Sequence, residues 1–122
     1  MDGILIVTTD QDLFQEMAEM LQQARLKVGP RAEPVSLETD RSVPWPLAVV
    51  DLDDRGIDKR FFSNLARSNP DLVVIGVSAR AYHPELKEAM SGCIRACLSK
   101  PVDRDDFVYL VKGLSNSIGS SD

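Results

Sequence analysis

Short apolar runs alternate with stretches of helical periodicity along the whole of this 122-residue chain. Gly3 to Val7 is the first run and reads as a strand. Leu13, Phe14, Met17, Leu21 and Ala24 follow at spacings of three and four, which puts them on one helical face. Asp10 suits the N-cap of that helix, and Asp12 suits the positive end of its dipole. Leu26-Lys27-Val28 predicts a short second strand. Pro30, Pro34, Pro44 and Pro46 then punctuate the stretch where a second helix belongs. Only Val35 to Arg41 has room for a turn or two, so that element is expected to be short or irregular. Leu47 to Asp51 is apolar up to its last residue, as a strand buried on both faces requires.

The second half repeats the alternation. Asp58 to Arg67 predicts a short helix with Phe61, Phe62, Leu65 and Ala66 turned inward, and Leu72 to Val77 a fourth strand. His83-Pro84-Glu85 opens a further helix, with Pro84 at its first position and Leu86, Ala89 and Met90 toward the sheet. Cys97 to Ser99 is the core of a fifth strand. Asp103 caps a last helix carrying Phe107, Val108, Leu110, Val111 and Leu114. Residues 1–115 read as one domain and 116–122, rich in Ser, as a tail or linker. The pattern predicts an α/β fold, a doubly wound five-stranded parallel sheet. Right-handed crossovers place every strand's C-terminal end on one edge, where open α/β sheets bind their ligands.

Composition narrows the function. A 43% hydrophobic chain of this length builds one core without staples. A net charge of −5 argues against nucleic-acid binding as the main task. No apolar run approaches the roughly 20 residues of a membrane span, and Met1-Asp2-Gly3 lacks the basic start of a signal peptide, so a cytoplasmic protein is expected. Cys93 and Cys97, four residues apart along one strand, would lie roughly 13 Å apart. A disulfide needs less than about 7 Å, so two reduced, mostly buried thiols are expected. His83 reads as a solvated turn residue, and Trp45, between two prolines, as a cover for the edge of the core. Asp51, Asp53, Asp54 and Asp58 lack the spacing and closing glutamate of a calcium loop.

The chemistry concentrates at three strand ends. Leu47 to Val50 runs into Asp51 and an acidic loop through Asp53 and Asp54 to Gly56. The fourth strand runs into Ser78-Ala79, and the fifth into Lys100-Pro101. A carboxylate, a hydroxyl and an ammonium on one sheet edge suggest a single site. There is no glycine-rich phosphate loop after the first strand and no Gly-x-Ser-x-Gly elbow, so a flavin-binding or hydrolytic enzyme lacks support.

On these residues the chain resembles the receiver domain of bacterial two-component response regulators, a (βα)5 flavodoxin-like fold, over residues 3–115. The matches are Asp51, Ser78-Ala79 and Lys100-Pro101, with Gly56 in the loop after Asp51. The resemblance implies a non-enzymatic signalling domain in a phosphorelay. Asp51 would accept a phosphoryl group from a histidine kinase or phosphotransfer protein. Lys100 would pair with the phosphoryl oxygens, Ser78 would donate a hydrogen bond to one, and the small Ala79 would leave room. It further implies an output domain or partner protein that reads the state, and a homodimer through the last two helices.

The chain departs from that pattern in four places. Thr8 and Thr9 stand where the family has two acids, so a Mg2+ site would rest on Asp51, the backbone carbonyl of Asp53 and, one position late, Asp10. Weak Mg2+ binding is therefore expected. Arg55 replaces a proline before the loop glycine, Cys97 replaces an aromatic switch residue, and the second helix is proline-broken. A salt bridge between Arg80 and Asp53 would cover the site and supply positive charge. The alternative is a pseudo-receiver, an interaction module that keeps the fold and works without phosphorylation.

Overall fold

A computed structural model describes residues 3–34, 46–80 and 94–119. The elements run β1 (Gly3–Val7), α1 (Gln11–Gln23), β2 (Lys27–Val28), β3 (Leu47–Asp51), α2 (Lys59–Ser68), β4 (Val73–Ser78), β5 (Ile94–Ser99) and α3 (Arg104–Gly119). The expected elements at Val35 to Arg41 and after His83 lie outside the described residues, as do Trp45 and Cys93. Among the described helices none is long and apolar enough to cross a membrane.

The five strands are parallel and lie in the order β2-β1-β3-β4-β5. Consecutive positions of β1 face opposite sides, and both sides are apolar. Leu5 and Val7 join Phe61, Phe62 and Leu65 of α2 in one core layer. Ile4 and Ile6 join Met17 and Leu21 of α1 and Phe107 and Val111 of α3 in the other. That double burial is why these strands read as unbroken apolar runs. The two phenyl rings of α2 meet edge to face, centroids 5.2 Å apart.

Caps set the helix starts. Asp58 is the N-cap of α2, not its first residue, and its Oδ1 accepts from Phe61 N at 2.8 Å. Asp103 serves α3 in the same way, accepting from Asp106 N at 2.9 Å. Helix α1 ends without glycine: Arg25 takes φ 67°, and Leu26 N reaches back to Leu21 O at 2.9 Å. Helix α3 continues to Gly119, four residues into the stretch read as a tail.

The thiol at Cys97 is exposed, against the expectation of burial. Its strand is the sheet's edge, and Arg95, Cys97 and Ser99 alternate outward from it. Burial of its inner part and the negative charge of Asp53 push the thiol pKa up, away from a reactive thiolate.

The strand order reverses between β1's two neighbours, β2 and β3. The crevice at such a switch point opens beyond the C-terminal ends of β1 and β3. Thr8, Thr9 and Asp10 leave β1 there, and Asp51 closes β3 beside them.

Candidate functional site

The ladder delivers the three strand-end residues in register. Asp51 pairs with Val77, and Ser78 with Ser99, so hydroxyl and carboxylate sit on neighbouring strand ends. Lys100 N then bonds Ser78 O at 2.9 Å, carrying the pairing one residue past β5. Asp51, Ser78 and Lys100 are thereby brought together.

Asp51 is buried, with 6% of its side chain exposed. Its Oδ1 accepts from Lys100 Nζ at 2.8 Å and from Asp53 N at 3.1 Å. Its Oδ2 accepts from Thr8 Oγ1 at 2.8 Å. The fully buried Thr8 in turn accepts the Asp10 N–H at 3.0 Å. So the strand-end threonine is a neutral hydrogen-bond donor to Asp51 where a second carboxylate would repel it.

The carboxylate of Asp53 folds back over the site. Its Oδ1 accepts from Ser78 Oγ at 2.9 Å, and its Oδ2 from Ala79 N at 2.7 Å and Lys100 Nζ at 3.0 Å. Lys100 is thus a cation paired with Asp53 as well as with Asp51. Burial pushes the Asp53 pKa up, but the Ala79 N–H, the Lys100 and Ser78 bonds and the Lys100 charge outweigh it and hold it below the ordinary value. For Lys100, burial works against the charged form, while the bonds to Asp51 and Asp53 prevail and raise its pKa. Ser78 Oγ also accepts from Arg80 N at 2.9 Å, and Arg80 O lies 3.2 Å from the same hydroxyl as a second acceptor.

A second clamp ties the β1 and β3 loops. Thr9 donates to Asp54 Oδ2 from its backbone N at 2.8 Å and from Oγ1 at 2.7 Å, while Gly56 N donates to Oδ1 at 3.1 Å. These bonds, together with the Lys100 charge, overcome the effect of burial and lower the Asp54 pKa. Gly56 is required at its position because a Cβ there would come within 2.7 Å of Pro34 Cβ. Asp10 is turned away from the pocket: its Oδ1 accepts from Leu13 N at 3.1 Å and caps α1.

No family model matches the sequence. The chain is 35% identical over 112 residues to the sensor protein TorS of Escherichia coli K12, an alignment covering 86% of this chain and 12% of that protein. It therefore spans about an eighth of that relative's length. A CheY-like response regulator receiver domain protein from Methanospirillum hungatei superimposes with a TM-score of 0.82 over 100% of this chain and 99% of the other, at 19% identity. The fold is that of a response regulator receiver domain. A response regulator from Burkholderia pseudomallei matches at TM-score 0.72 and 15% identity, covering 99% of this chain and 72% of that one. That structure holds a phosphorylated aspartic acid, a calcium ion and citrate.

A hard divalent cation needs carboxylate oxygens free to turn to it. Here Thr8 offers a hydroxyl already committed to Asp51, Asp10 caps a helix, and Asp54 is tied to Thr9 and Gly56. Among the described residues no group of three or more His, Cys, Asp or Glu side chains is placed to hold a metal. As arranged, these described side chains leave a divalent cation few free carboxylate oxygens.

The sequence had no signal for two of these roles. The Thr8 hydroxyl on Asp51 depends on β1 and β3 being neighbours in register, with Val7 opposite Val50. The inward turn of Asp53 depends on three donors that come from two other strand ends.

Proposed function

We propose that this chain is the receiver module of a two-component phosphorelay, with Asp51 as phosphoacceptor and a histidine kinase or phosphotransfer protein as donor. The observation that carries the reading is the ammonium of Lys100 at 2.8 Å from Asp51 Oδ1, beside Ser78 on the neighbouring strand end. The 35% identity to a sensor protein and the likeness to a regulator holding a phosphorylated aspartic acid support it.

In the reaction an Asp51 oxygen attacks the phosphorus of a phosphohistidine. An O–P bond forms, the P–N bond breaks, and its electron pair returns to the imidazole. The group that arrives carries close to two negative charges. Lys100 offsets part of that charge, and Ser78 Oγ–H and Ala79 N–H are donors for its oxygens. Mg2+ binding is weak on this reading, and none of these steps uses it. An output domain or a partner protein on the cytoplasmic side reads the result.

A second reading starts from the Thr8–Asp51 bond and from the Asp53 carboxylate among the phosphoryl donors. On it the domain is a pseudo-receiver that binds its partner without phosphorylation. Acetyl phosphate with and without Mg2+, followed by intact-mass measurement, separates the two. The first reading expects slow addition of one phosphoryl group, little changed by Mg2+ and absent in Asp51→Asn. An unmodified wild-type chain under all conditions leaves the second.

A further inference from the structure

Ser78 Oγ, Ala79 N and Lys100 Nζ converge from two strand ends on one carboxylate, at 2.9, 2.7 and 3.0 Å. A hydroxyl, a backbone amide and an ammonium around a single anion make a general oxyanion site. We infer that these three donors form an oxyanion cradle, that the Asp53 carboxylate is its built-in occupant, and that a phosphoryl group enters it by displacing Asp53.

The competition follows from position and charge. Asp51 and Asp53 share one ammonium, at 2.8 and 3.0 Å from Lys100 Nζ. An atom attached to Asp51 Oδ1 therefore lies at the mouth of the cradle. A carboxylate brings two oxygens and one charge to these donors, whereas a phosphoryl group brings three oxygens and close to two charges. The phosphoryl group is the better anion once delivered. Asp53, two residues along the same chain, is always present and has the site to itself until then.

Displacement needs no repacking. The Asp53 side chain is 23% exposed and belongs to a loop residue facing solvent, so it leaves by rotating about its own bonds. Its loop stays in place because the Thr9–Asp54–Gly56 clamp holds the next residue. With Asp53 seated, Ser78 and Lys100 are already held in their engaged positions without phosphate. Phosphorylation then exchanges one anion for another on the same donors. Asp53 thereby slows labelling and limits the conformational response to it.

The covalent half of this inference rests on Asp51 being the acceptor; the cradle itself does not. Two arms test it on wild type, Asp53→Ala and Asp53→Asn. In the first, inorganic phosphate is titrated while the Ala79 amide is followed by NMR. In the second, acetyl phosphate labelling is timed by intact mass: an Asp51 oxygen attacks phosphorus, and acetate leaves with the electron pair of the broken P–O bond. Removing a charge-assisted competitor should tighten phosphate binding and speed labelling at least ~tenfold in Asp53→Ala, with a smaller gain in Asp53→Asn. Asp53→Asn decides the matter where Asp53→Ala does not fold. A gain in labelling alone identifies the phosphoryl group on Asp51 as the natural occupant. Tighter phosphate binding with no labelling of any variant upholds the cradle and removes Asp51 as acceptor. No gain in either arm for either variant overturns the cradle, and wild-type labelling in that case leaves the acceptor standing.

Discussion

Thr8 donates to Asp51 Oδ2 and accepts from Asp10 N, so its hydroxyl satisfies two groups at the buried end of β1. Thr8→Val keeps the shape of the side chain and strands both. The expected cost is ~1–3 kcal/mol, seen as a lower urea midpoint at unchanged m-value. Thr8→Asp puts a like charge against Asp51 instead. In chelator it should melt below wild type, and Mg2+ should raise its melting temperature far more than that of wild type. Equal responses of the two proteins to Mg2+ would show that Thr8 is not what weakens the metal site. Lys100 answers for two carboxylates at once. Breaking a buried pair leaves an uncompensated charge, so Lys100→Met should cost about 3 kcal/mol, the low end of the range because 21% of the lysine side chain is exposed. Adding Asp51→Asn should recover part of that loss, because one of the two stranded charges is gone. Asp51, Ser78 and Lys100 were legible in the sequence because each ends an apolar run. The Lys100–Asp53 contact was not, because a loop carboxylate meets cations by their positions in space, and Arg80 and Lys100 read alike in one dimension.

The elements were legible to the degree that local physics alone determines them. Strands β1, β3 and β4 announce themselves because both faces are buried, and the N-caps Asp10 and Asp103 because a capping carboxylate has a local partner three residues on, whereas Asp58 reads as the first residue of the helix it caps. Asp58→Ala should therefore cost ~1 kcal/mol in urea denaturation. The end of α1 left no such mark. Arg25 adopts the left-handed conformation that sequence reading assigns to glycine or asparagine, and only the geometry of the turn shows it. Arg25→Gly relieves that strain at the expense of a looser unfolded chain, and a net gain of up to ~1 kcal/mol is expected from the same denaturation measurement. Cys97 was misread for a related reason. A run of apolar residues does not reveal which strand will form the edge of the sheet, and an edge strand leaves alternate residues uncovered.

In the whole molecule, the parallel sheet gathers Asp51, Asp53, Asp54 and Lys100 at one edge, and this concentration of charge shapes the pH dependence of stability. Asp53 and Asp54 are held below the ordinary carboxylate value of 3.8. A carboxylate with a depressed pKa contributes stability that is complete above its unfolded value and is lost as pH falls through its folded value. Lys100 is raised above 10.5. Its contribution is complete below that value and is lost as pH rises through the folded one. The site therefore adds a plateau of stability between the acid and alkaline limbs. Comparing wild type with Asp54→Asn isolates the acid side. Asp54 accepts three hydrogen bonds from Thr9 and Gly56, and because the site is partly open to solvent its advantage over asparagine should be ~1 kcal/mol at neutral pH. That difference, read from urea midpoints, should hold constant down to the ordinary carboxylate range and shrink on acidification below 3.8. The corresponding difference for Lys100→Met should hold through neutral pH and shrink only above 10.5. An Asp54 difference that grew on acidification would mean that the carboxyl is protonated in the native state, and that the loop clamp runs through a neutral acid.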